Sequence, residues 1–505
     1  MSTSLVALTN LAGAVLQPGF EGTTPPAWVR RWLGEGLGGV ALFARNVVSP
    51  EQVTALTEAL RAERPDVLVA IDEEAGDVTR FESRLGSSRP GNLALGALDD
   101  LATTEGVARD LGAELAAAGI NLNYAPDADV NSNPDNPVIG VRSFGADPDL
   151  VARHTAAWIR GLQSAGVAAC AKHFPGHGDT SVDSHADVPH IVASWDQLVK
   201  CELAPFRAAI DAGAQAIMTG HLLVPALDPR RPATLSRRIL TGLLRDELGF
   251  QGAVITDGIE MRAITHRYGF EAATVQALAA GADAICVGGD HYDEGSALRL
   301  RDAIVAAVVD GTLPEERLAE AAKRVEQLAA WTMQARGTRP ERGETTPGRS
   351  TIGAVAARRA VRVTATSSGG GVLPLTGPAH VVEFAPPGNI AIGAETPWGV
   401  GAPLAELLPG TTTVRLTSAD LPIDAGLPAE LVDQAQGRPL VLVVRDLHRH
   451  NWMTVAVSRA LAVRPDAIVV ELGVPALTVG SVHVATFGAT RASGWAAVDV
   501  LTGRS

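Results

Sequence analysis

Residues 167–191 read VAACAKHFPGHGDTSVDSHADVPHI. The first part of this stretch is a short apolar run, typical of a buried parallel strand, and it ends in Lys172 and His173. The second part is polar and contains a proline and two glycines near its start, which let a loop bend and fold over a site. We interpret the stretch as a strand followed by a functional loop.

The same unit, a short apolar strand followed by a segment of helical periodicity, recurs through roughly the first 330 residues. Strands are predicted near residues 13–17, 38–43, 67–72, 120–126, 167–173, 216–221, 253–257 and 283–287. Helices are predicted near residues 50–62, 104–118, 149–165, 195–212, 237–248, 271–280 and 314–334. This alternation predicts an α/β fold with an N-terminal (β/α)8 TIM-type barrel, and a doubly wound open sheet is the alternative.

The barrel is expected to occupy residues 1–335. Residues 336–350, RGTRPERGETTPGRS, are polar and lack an apolar period, which indicates a linker. From 351 to 505 the α/β alternation resumes, with strands predicted near 380–384, 440–445, 467–472 and 483–487. We expect a smaller C-terminal α/β domain of three layers.

Composition excludes several classes of function. The chain has 505 residues and a formal net charge of -14 without a basic tract, which argues against binding to nucleic acid or to an anionic membrane surface. No apolar run is long enough to span a bilayer, and the first basic residue is Arg30, so we expect a cytoplasmic protein. The three cysteines, at 170, 201 and 286, are expected to be free thiols.

The loop after residue 173 carries acid/base chemistry. Asp183 and His185 are two residues apart, so the carboxylate can orient the imidazole, and an oriented histidine is a ready general acid or base. A zinc site formed by His173, His177 and His185 is the alternative. No HExxH helix is present and glycine-flexed ligands make a poor cage, so we predict neither a metal nor a cofactor.

A second segment, GFQGAVITDGIEM at 249–261, places Asp257 at the end of a predicted strand and before a glycine. A carboxylate at the carboxyl end of a barrel strand suits a nucleophile, although the same aspartate could simply cap the next helix. Asp72 follows another strand, and Arg142 lies in a loop. Carboxylates, lysine, arginine and histidine around one barrel mouth suit a ligand with many hydroxyl groups, and therefore a small carbohydrate.

The segment KHFPGHGDTSVDSH resembles the signature of the β-N-acetylglucosaminidase branch of glycoside hydrolase family 3. The segments GGVALFARN, DEEAGDVTRF, APDADVN, GVRSF, MTGHLLVP and GFQGAVITDGIEM occur in the order that this family has. The resemblance covers essentially all of residues 1–335. The C-terminal part resembles the accessory α/β domain of the family more weakly, in VVEFAPPGNIAIGAETPWGVG, VVRDLHRH and TFGATRASG.

The resemblance implies a two-step retaining mechanism, with Asp257 as the nucleophile and His185, paired with Asp183, as the acid/base. It implies that four residues grip the hydroxyl and acetamido groups of the sugar and that a histidine borders the same pocket: Asp72, Arg142, Lys172, His173 and, as the bordering residue, His221. The chain departs from the common family pattern at four positions: Glu73, Ala75, Asp77 and Gly258.

We therefore expect a retaining exo-β-N-acetylglucosaminidase, monomeric or homodimeric, that acts on short oligosaccharides such as muropeptide or chitin fragments. The enzymatic alternatives are a β-glucosidase and a β-N-acetylglucosaminide phosphorylase, since a histidine acid/base would tolerate an incoming phosphate better than a carboxylate would. The non-enzymatic alternative is a sugar-binding protein on an inactive barrel. The joint presence of Asp257, His185, Asp183 and Lys172 argues against it.

Overall fold

A computed structural model describes residues 4–180, 188–337, 348–365, 373–389, 391–393, 395–421, 432–435 and 437–504. It divides into two compact units, of which the first comprises residues 1–74, 104–139 and 145–347 and the second comprises 75–103, 140–144 and 348–505. Segments of the two units alternate along the chain, whereas the sequence predicted a single boundary at 336–350. The reason lies in contacts inside the second unit: Asp77 forms an ion pair with Arg445 at 2.8 Å and Glu82 one with Arg491 at 3.1 Å.

The first unit is built on short parallel strands. Within its described residues they are β1 (Leu16–Pro18), β2 (Gly39–Leu42), β3 (Leu68–Ile71), β4 (Leu122–Asn123), β5 (Ala168–Phe174), β6 (Ala216–Thr219), β7 (Ala253–Thr256) and β8 (Ile285–Val287). Strands β2 to β7 pair in chain order, β8 pairs with β1, and a parallel bridge from Ile255 to Ala284 joins β7 to the start of β8. The predicted barrel, with all of its predicted strands, is confirmed.

Helices follow the strands of the first unit as predicted. They span Leu5–Ala14, Ala27–Gly34, Pro50–Glu63, Leu101–Ala117, Pro148–Ser164, Trp195–Lys200, Ala204–Asp211, Arg238–Glu247, Arg262–Tyr268, Phe270–Ala280, Glu294–Val309 and Glu315–Gly337. The side chains of Ser49 and Asp147 cap two of them, each directly before a proline in the first turn. In the part of the chain that the structure describes, no helix is long and apolar enough to cross a membrane.

One predicted helix is wrong in its continuity. Residues 195–212 form two helices, Trp195–Lys200 and Ala204–Asp211, instead of a single one. Pro205 lies in the first turn of the second helix. Because proline lacks a backbone N–H and its ring clashes with the carbonyl four residues earlier, it interrupts the helix that would otherwise include Cys201. The interruption leaves Glu202 outside both helices.

The interior of the barrel is filled by small and medium side chains that alternate along the strands. Alanines at 41, 70, 168, 216 and 253 pack with larger residues such as Leu68, Leu122 and Ile255. The hydroxyl group of Tyr124 donates to Gln17 at 2.7 Å inside this core. The closing helix Glu315–Gly337 contributes Val325, Leu328 and Ala329 to the same cluster. The barrel is therefore a packed core, and its strand ends are left to carry polar groups.

The second unit is a three-layer α/β domain, as predicted. Its strands are β9 (Arg362–Ala365), β10 (His380–Phe384), β11 (Thr412–Leu416), β12 (Leu440–Val444), β13 (Ile468–Glu471) and β14 (Val482–Ala485). The sheet order is β11-β10-β12-β13-β14-β9, and only β9 pairs in the antiparallel sense in the described part of this sheet. Its helices span Asn92–Leu98, Thr351–Ala360, Gly401–Leu407, Asn451–Val463 and Arg491–Thr502.

Alternating residues of the second sheet build two separate cores. Val381, Val443 and Val470 pack on one face, whereas Val382 and Val444 pack on the other. Helices cover both faces, which gives the three layers. The two edge strands, β9 and β11, were not predicted. They are largely exposed, so they lack the apolar run that marked the central strands.

Candidate active site

Polar side chains of the first unit follow the carboxyl ends of its strands. Asp72 follows β3, Asp129 follows β4, His221 follows β6 and Asp257 follows β7, while Lys172 and His173 lie within β5 near its end. In a parallel barrel these ends point to the same side of the molecule. The structure therefore places five predicted site residues at one barrel mouth: Asp72, Lys172, His173, His221 and Asp257.

Lys172 is the centre of an ion-pair network. Its ammonium group contacts the Asp72 carboxylate closely and lies 2.7 Å from an oxygen of Glu74. The side chains of Lys172 and Glu74 are each 3% exposed, whereas that of Asp72 is 28% exposed. Asp72 is thus the member of the network that can meet a ligand, and Lys172 compensates the charge of both carboxylates. The part played by Glu74 was not predicted.

Asp129 orders the residues at the start of the long loop. One of its oxygens accepts the backbone N–H groups of His173 at 3.2 Å and of His177 at 2.7 Å, and the other accepts Nδ1–H of His173 at 2.7 Å. Burial acts to raise the pKa of the Asp129 carboxyl, but the charge and hydrogen bond of His173, together with His177, outweigh it and the pKa is lowered. Asp129 is therefore ionised and fixes the tautomer of His173.

Asp127, Asp129 and His173 are the described residues best arranged to hold a cation, because one ligand atom from each lies within 4.8 Å of the others. The ligand atoms of these three residues do not favour a bound cation. The Nδ1 atom of His173 is already bonded to Asp129, and the oxygens of Asp129 accept hydrogen bonds from two backbone N–H groups. A cation would have to replace these bonds. The alternative zinc set included His185, which lies outside the described residues.

Asp257 is half-buried at the end of β7, in a turn that other residues hold in place. Its own Oδ1 accepts the backbone N–H of Gly258 at 2.8 Å. The carbonyl oxygen of Gly258 accepts a hydrogen bond from Nε2 of His221 at 2.9 Å, and Nδ1 of His221 bonds Thr234 at 2.8 Å. Since a carbonyl only accepts, Nε2 carries the proton. His221 thus supports the turn of Asp257, and its contact with a sugar stays a prediction.

Glu260 fixes the same turn from the other side, which the sequence did not indicate. Its Oε1 accepts the backbone N–H groups of Gly288 at 2.9 Å and of Gly289, directly after β8. The guanidinium group of Arg45 donates to the carbonyl oxygens of the same two glycines. Burial raises the pKa of the Glu260 carboxyl and the nearby Asp257 adds to this rise, although the backbone hydrogen bonds oppose it. Hydrogen bonds therefore hold the backbone of the turn that carries Asp257, the candidate nucleophile.

The stem of the long loop, defined here as residues 173–180, is held by Asn136. Its Nδ2 donates to the carbonyl oxygens of His177 at 2.9 Å and of Gly178 at 3.0 Å. A Cβ atom at Gly178 would lie 1.6 Å from the carbonyl oxygen of Val130, so only glycine fits there. The sequence pattern indicated that the glycines make the loop flexible, whereas the structure places Gly178 in close contact with the backbone of Val130.

The contacts that three predicted site residues would make with a sugar stay predictions: those of Arg142, Asp183 and His185. Asp183 and His185 lie outside the described residues, so their predicted pairing stays a prediction. Arg142 belongs to the second unit, where it is buried at the end of the short 3₁₀ helix Gly140–Arg142 and its carbonyl oxygen accepts Nδ2–H of Asn92 at 2.7 Å. Its role toward a sugar is likewise a prediction.

We expect Asp129→Asn to lower kcat/KM on an aryl N-acetylglucosaminide by about 10–100-fold, because asparagine has one accepting oxygen where three N–H groups converge and a buried unpaired donor costs about 1–3 kcal/mol. Steady-state kinetics and thermal unfolding measure the change. The exposed Asp135 of the same loop region provides the matched control, Asp135→Asn. Unchanged kinetics of Asp129→Asn would contradict the role of Asp129.

Known proteins are similar to this chain over its N-terminal part. The family description "Glycosyl hydrolase family 3 N terminal domain" matches residues 26–328. Beta-hexosaminidase A of Pseudoalteromonas piscicida is 40% identical over 283 residues, 52% of this chain and 47% of the relative, so the chain spans about half of that relative's length. Beta-hexosaminidase of Stenotrophomonas maltophilia (strain K279a) is 41% identical over 278 residues, 53% of this chain and 82% of the relative.

Structural comparison extends the likeness to both units. A glycoside hydrolase family 3 β-N-acetylglucosaminidase from Paenibacillus sp. str. FPU-7 is 34% identical and has a TM-score of 0.85. The match covers 100% of this chain and 97% of that one.

Proposed function

This chain belongs to glycosyl hydrolase family 3, and from that premise we propose that it is a retaining exo-β-N-acetylglucosaminidase. Its substrates would be short oligosaccharides with a terminal β-linked N-acetylglucosamine, such as cytoplasmic muropeptide or chitin fragments. The relatives named beta-hexosaminidase and the β-N-acetylglucosaminidase from Paenibacillus support the substrate class.

The observation that carries the proposal is the half-buried carboxylate of Asp257 at the end of β7. Its turn is fixed by His221 from one side and by Glu260 from the other. The mouth that this carboxylate shares with Lys172 and Asp72 is rich in groups that bond hydroxyls. A carboxylate held in this way can attack a carbon atom without first reorganising its surroundings.

In the first step, an oxygen of Asp257 forms a bond to the anomeric carbon while the bond to the glycosidic oxygen breaks. The leaving oxygen takes a proton from the imidazolium of His185, which Asp183 orients. The sugar is then covalently attached to Asp257, with its anomeric configuration inverted.

In the second step, water attacks the anomeric carbon and the bond to Asp257 breaks. The neutral imidazole of His185 takes the proton of this water. Two inversions give a sugar of the original β configuration, so the reaction is retaining. His185 replaces the second carboxylate that retaining glycosidases commonly use.

Within the first unit, we assign sugar recognition to Asp72, Lys172 and His173. Within the Lys172 network, Asp72 is the residue with exposed oxygen surface, so it is placed to accept hydrogen bonds from sugar hydroxyl groups. Asp129 orients the His173 ring through Nδ1, and we assign this oriented ring to contact with a sugar hydroxyl group.

The test is release of the aglycone from an aryl β-N-acetylglucosaminide, compared with the matching β-glucoside. We expect turnover of the first substrate and little of the second, and a β-configured first product in proton NMR. Faster turnover of the glucoside would reassign the chain as a β-glucosidase, and binding without turnover would make it a sugar-binding protein. The same incubation with inorganic phosphate, followed by phosphorus NMR, separates hydrolysis from phosphorolysis, because a phosphorylase would yield the sugar 1-phosphate.

A further inference from the structure

Glu202 is a buried carboxyl group that the proposed mechanism does not use. It lies between the helices Trp195–Lys200 and Ala204–Asp211, at the break caused by Pro205, and is 1% exposed. A continuous helix from 195 to 212 would have kept this residue in a helical turn. The break instead directs its side chain against the stem of the long loop.

The contact with the stem is close. A Cβ atom at Gly176 would lie 2.4 Å from Oε2 of Glu202 and 2.6 Å from its Cβ, so the side chain occupies the space beneath this glycine. The backbone of Gly178 and the thiol of Cys201 lie beside the carboxyl group. Among the described residues, Oε2 has no hydrogen-bond partner.

The charges around Glu202 disfavour its ionised form. The carboxylates of Asp129, in the loop after β4, and of Asp179, in the stem, act to raise the pKa of Glu202, whereas the Cys201 thiol and the Gly178 backbone act to lower it. Asp129 in turn accepts the backbone N–H groups of His173 and His177 and is bonded to Nδ1 of His173. An ionised carboxylate without an opposing cation is costly to bury. Burial, together with the charge of Asp129, accordingly raises the pKa of Glu202 to about 8.

We propose that Glu202 is a positioning residue that works in its neutral form, so that ionisation of its carboxyl group displaces the stem of the loop carrying Asp183 and His185. The effect on catalysis rests on the proposed function. The protonation of Glu202 does not depend on it. Ionisation would bring a third negative charge beside Asp129 and Asp179. Because Gly176 and Gly178 are packed against Glu202 and Val130, the stem has no room to absorb this repulsion locally.

The first test measures protonation through stability and does not need activity. A carboxyl group with a pKa of about 8 in the folded protein and about 4.3 in the unfolded chain holds a proton only in the folded state between these values. The unfolding constant of the wild type should therefore rise up to tenfold per pH unit in this window, relative to Glu202→Gln, and level off above it. The thermal midpoint of Glu202→Gln, measured relative to that of the wild type, should therefore increase as the pH rises through the same window.

The control is Glu247→Gln, which removes the same charge from an exposed residue at the end of the helix Arg238–Glu247. It should keep the pH dependence of the wild type.

Should Glu202→Gln fold poorly, Asp129→Asn gives a second measurement. Removal of this neighbouring charge should shift the pH at which the stability levels off to lower values. A stability difference that does not vary with pH, or an unshifted profile in Asp129→Asn, would overturn the proposal.

The second test follows activity against pH with an aryl N-acetylglucosaminide that has a good leaving group. Such a substrate needs little help from an acid, so loss of the His185 proton has little effect on its turnover. The wild type and Glu247→Gln should lose activity with an apparent pKa near 8, and Glu202→Gln should retain activity to higher pH. An identical alkaline limb in all three proteins would refute the positioning role. Absence of turnover in the wild type would refute the proposed function and leave the stability test to decide the protonation of Glu202.

Discussion

Asp257→Ala is expected to lower turnover of N-acetylglucosaminides on the order of 10⁴-fold or more, while the protein remains folded. The carboxylate of Asp257 would form the bond to the anomeric carbon, and no neighbouring group of its turn can take over this role. Oε1 of Glu260 accepts hydrogen bonds from Gly288 and Gly289, and His221 donates to the Gly258 carbonyl. Steady-state kinetics on an activated aryl substrate, with thermal unfolding as the folding check, measure the effect.

Azide gives this prediction a stereochemical readout. In Asp257→Ala a small anion can enter the space of the missing carboxylate and attack the anomeric carbon directly, which inverts the configuration and yields the α-glycosyl azide. Asp246→Ala, at an exposed position of the helix Arg238–Glu247, is the matched control and should behave as the wild type. A sugar trapped by a slow substrate should be found on Asp257 by peptide mass spectrometry. A label on Glu73 or Glu74 would refute the assignment.

The barrel could be predicted from the sequence because each of its strands is a local signal. Buried parallel strands are covered on both sides and therefore appear as short apolar runs, as in LVAI of β3 and AVIT of β7. The edge strands of the second unit carry no such signal. Arg362–Ala365 is exposed throughout, and its place in the sheet comes from pairing with β14, more than a hundred residues later.

The interleaving of the two units is also a non-local property. The ion pair between Asp77 and Arg445 joins residues that are 368 positions apart, and neither has a local pattern that predicts the other. A polar linker at 336–350 suggested a single division of the chain. It could not show that 75–103 and 140–144 are packed with the residues after 348.

In the candidate site, the sequence indicated the groups that we propose to carry the chemistry, but not the groups that hold them in place. Asp72, Lys172 and Asp257 were found because polar residues at strand ends are conspicuous. Glu74, Asn136 and Glu260 act through hydrogen bonds and ion pairs to other segments, and such contacts exist only after folding. The one local signal that was available, Pro205 within a helical pattern, could have located the break beside Glu202.

His185→Ala is expected to lower kcat/KM for natural disaccharides by about 10²–10⁴-fold and to have a much smaller effect on kcat/KM for aryl glycosides with good leaving groups. A poor leaving group needs a proton as its bond breaks, whereas a good one departs as a stable anion. The first step of the activated substrate therefore does not depend on the acid, and its intermediate accumulates because the second step lacks a base. Kinetics on both substrates, with burst-phase measurement on the activated one, separate these effects.

Azide distinguishes this variant from Asp257→Ala by the product that it forms. In His185→Ala the first displacement by Asp257 still takes place, so azide attacks the covalent intermediate and the product is the β-glycosyl azide, formed after two inversions. Asp183→Asn should show the same dependence on the leaving group to a smaller degree, because it loosens the orientation of the imidazole without removing it. His266→Ala, at an exposed position of the helix Arg262–Tyr268, should leave both substrates unaffected. Equal losses on both substrates would exclude His185 as the acid/base, and an α-azide from His185→Ala would exclude a covalent intermediate on Asp257.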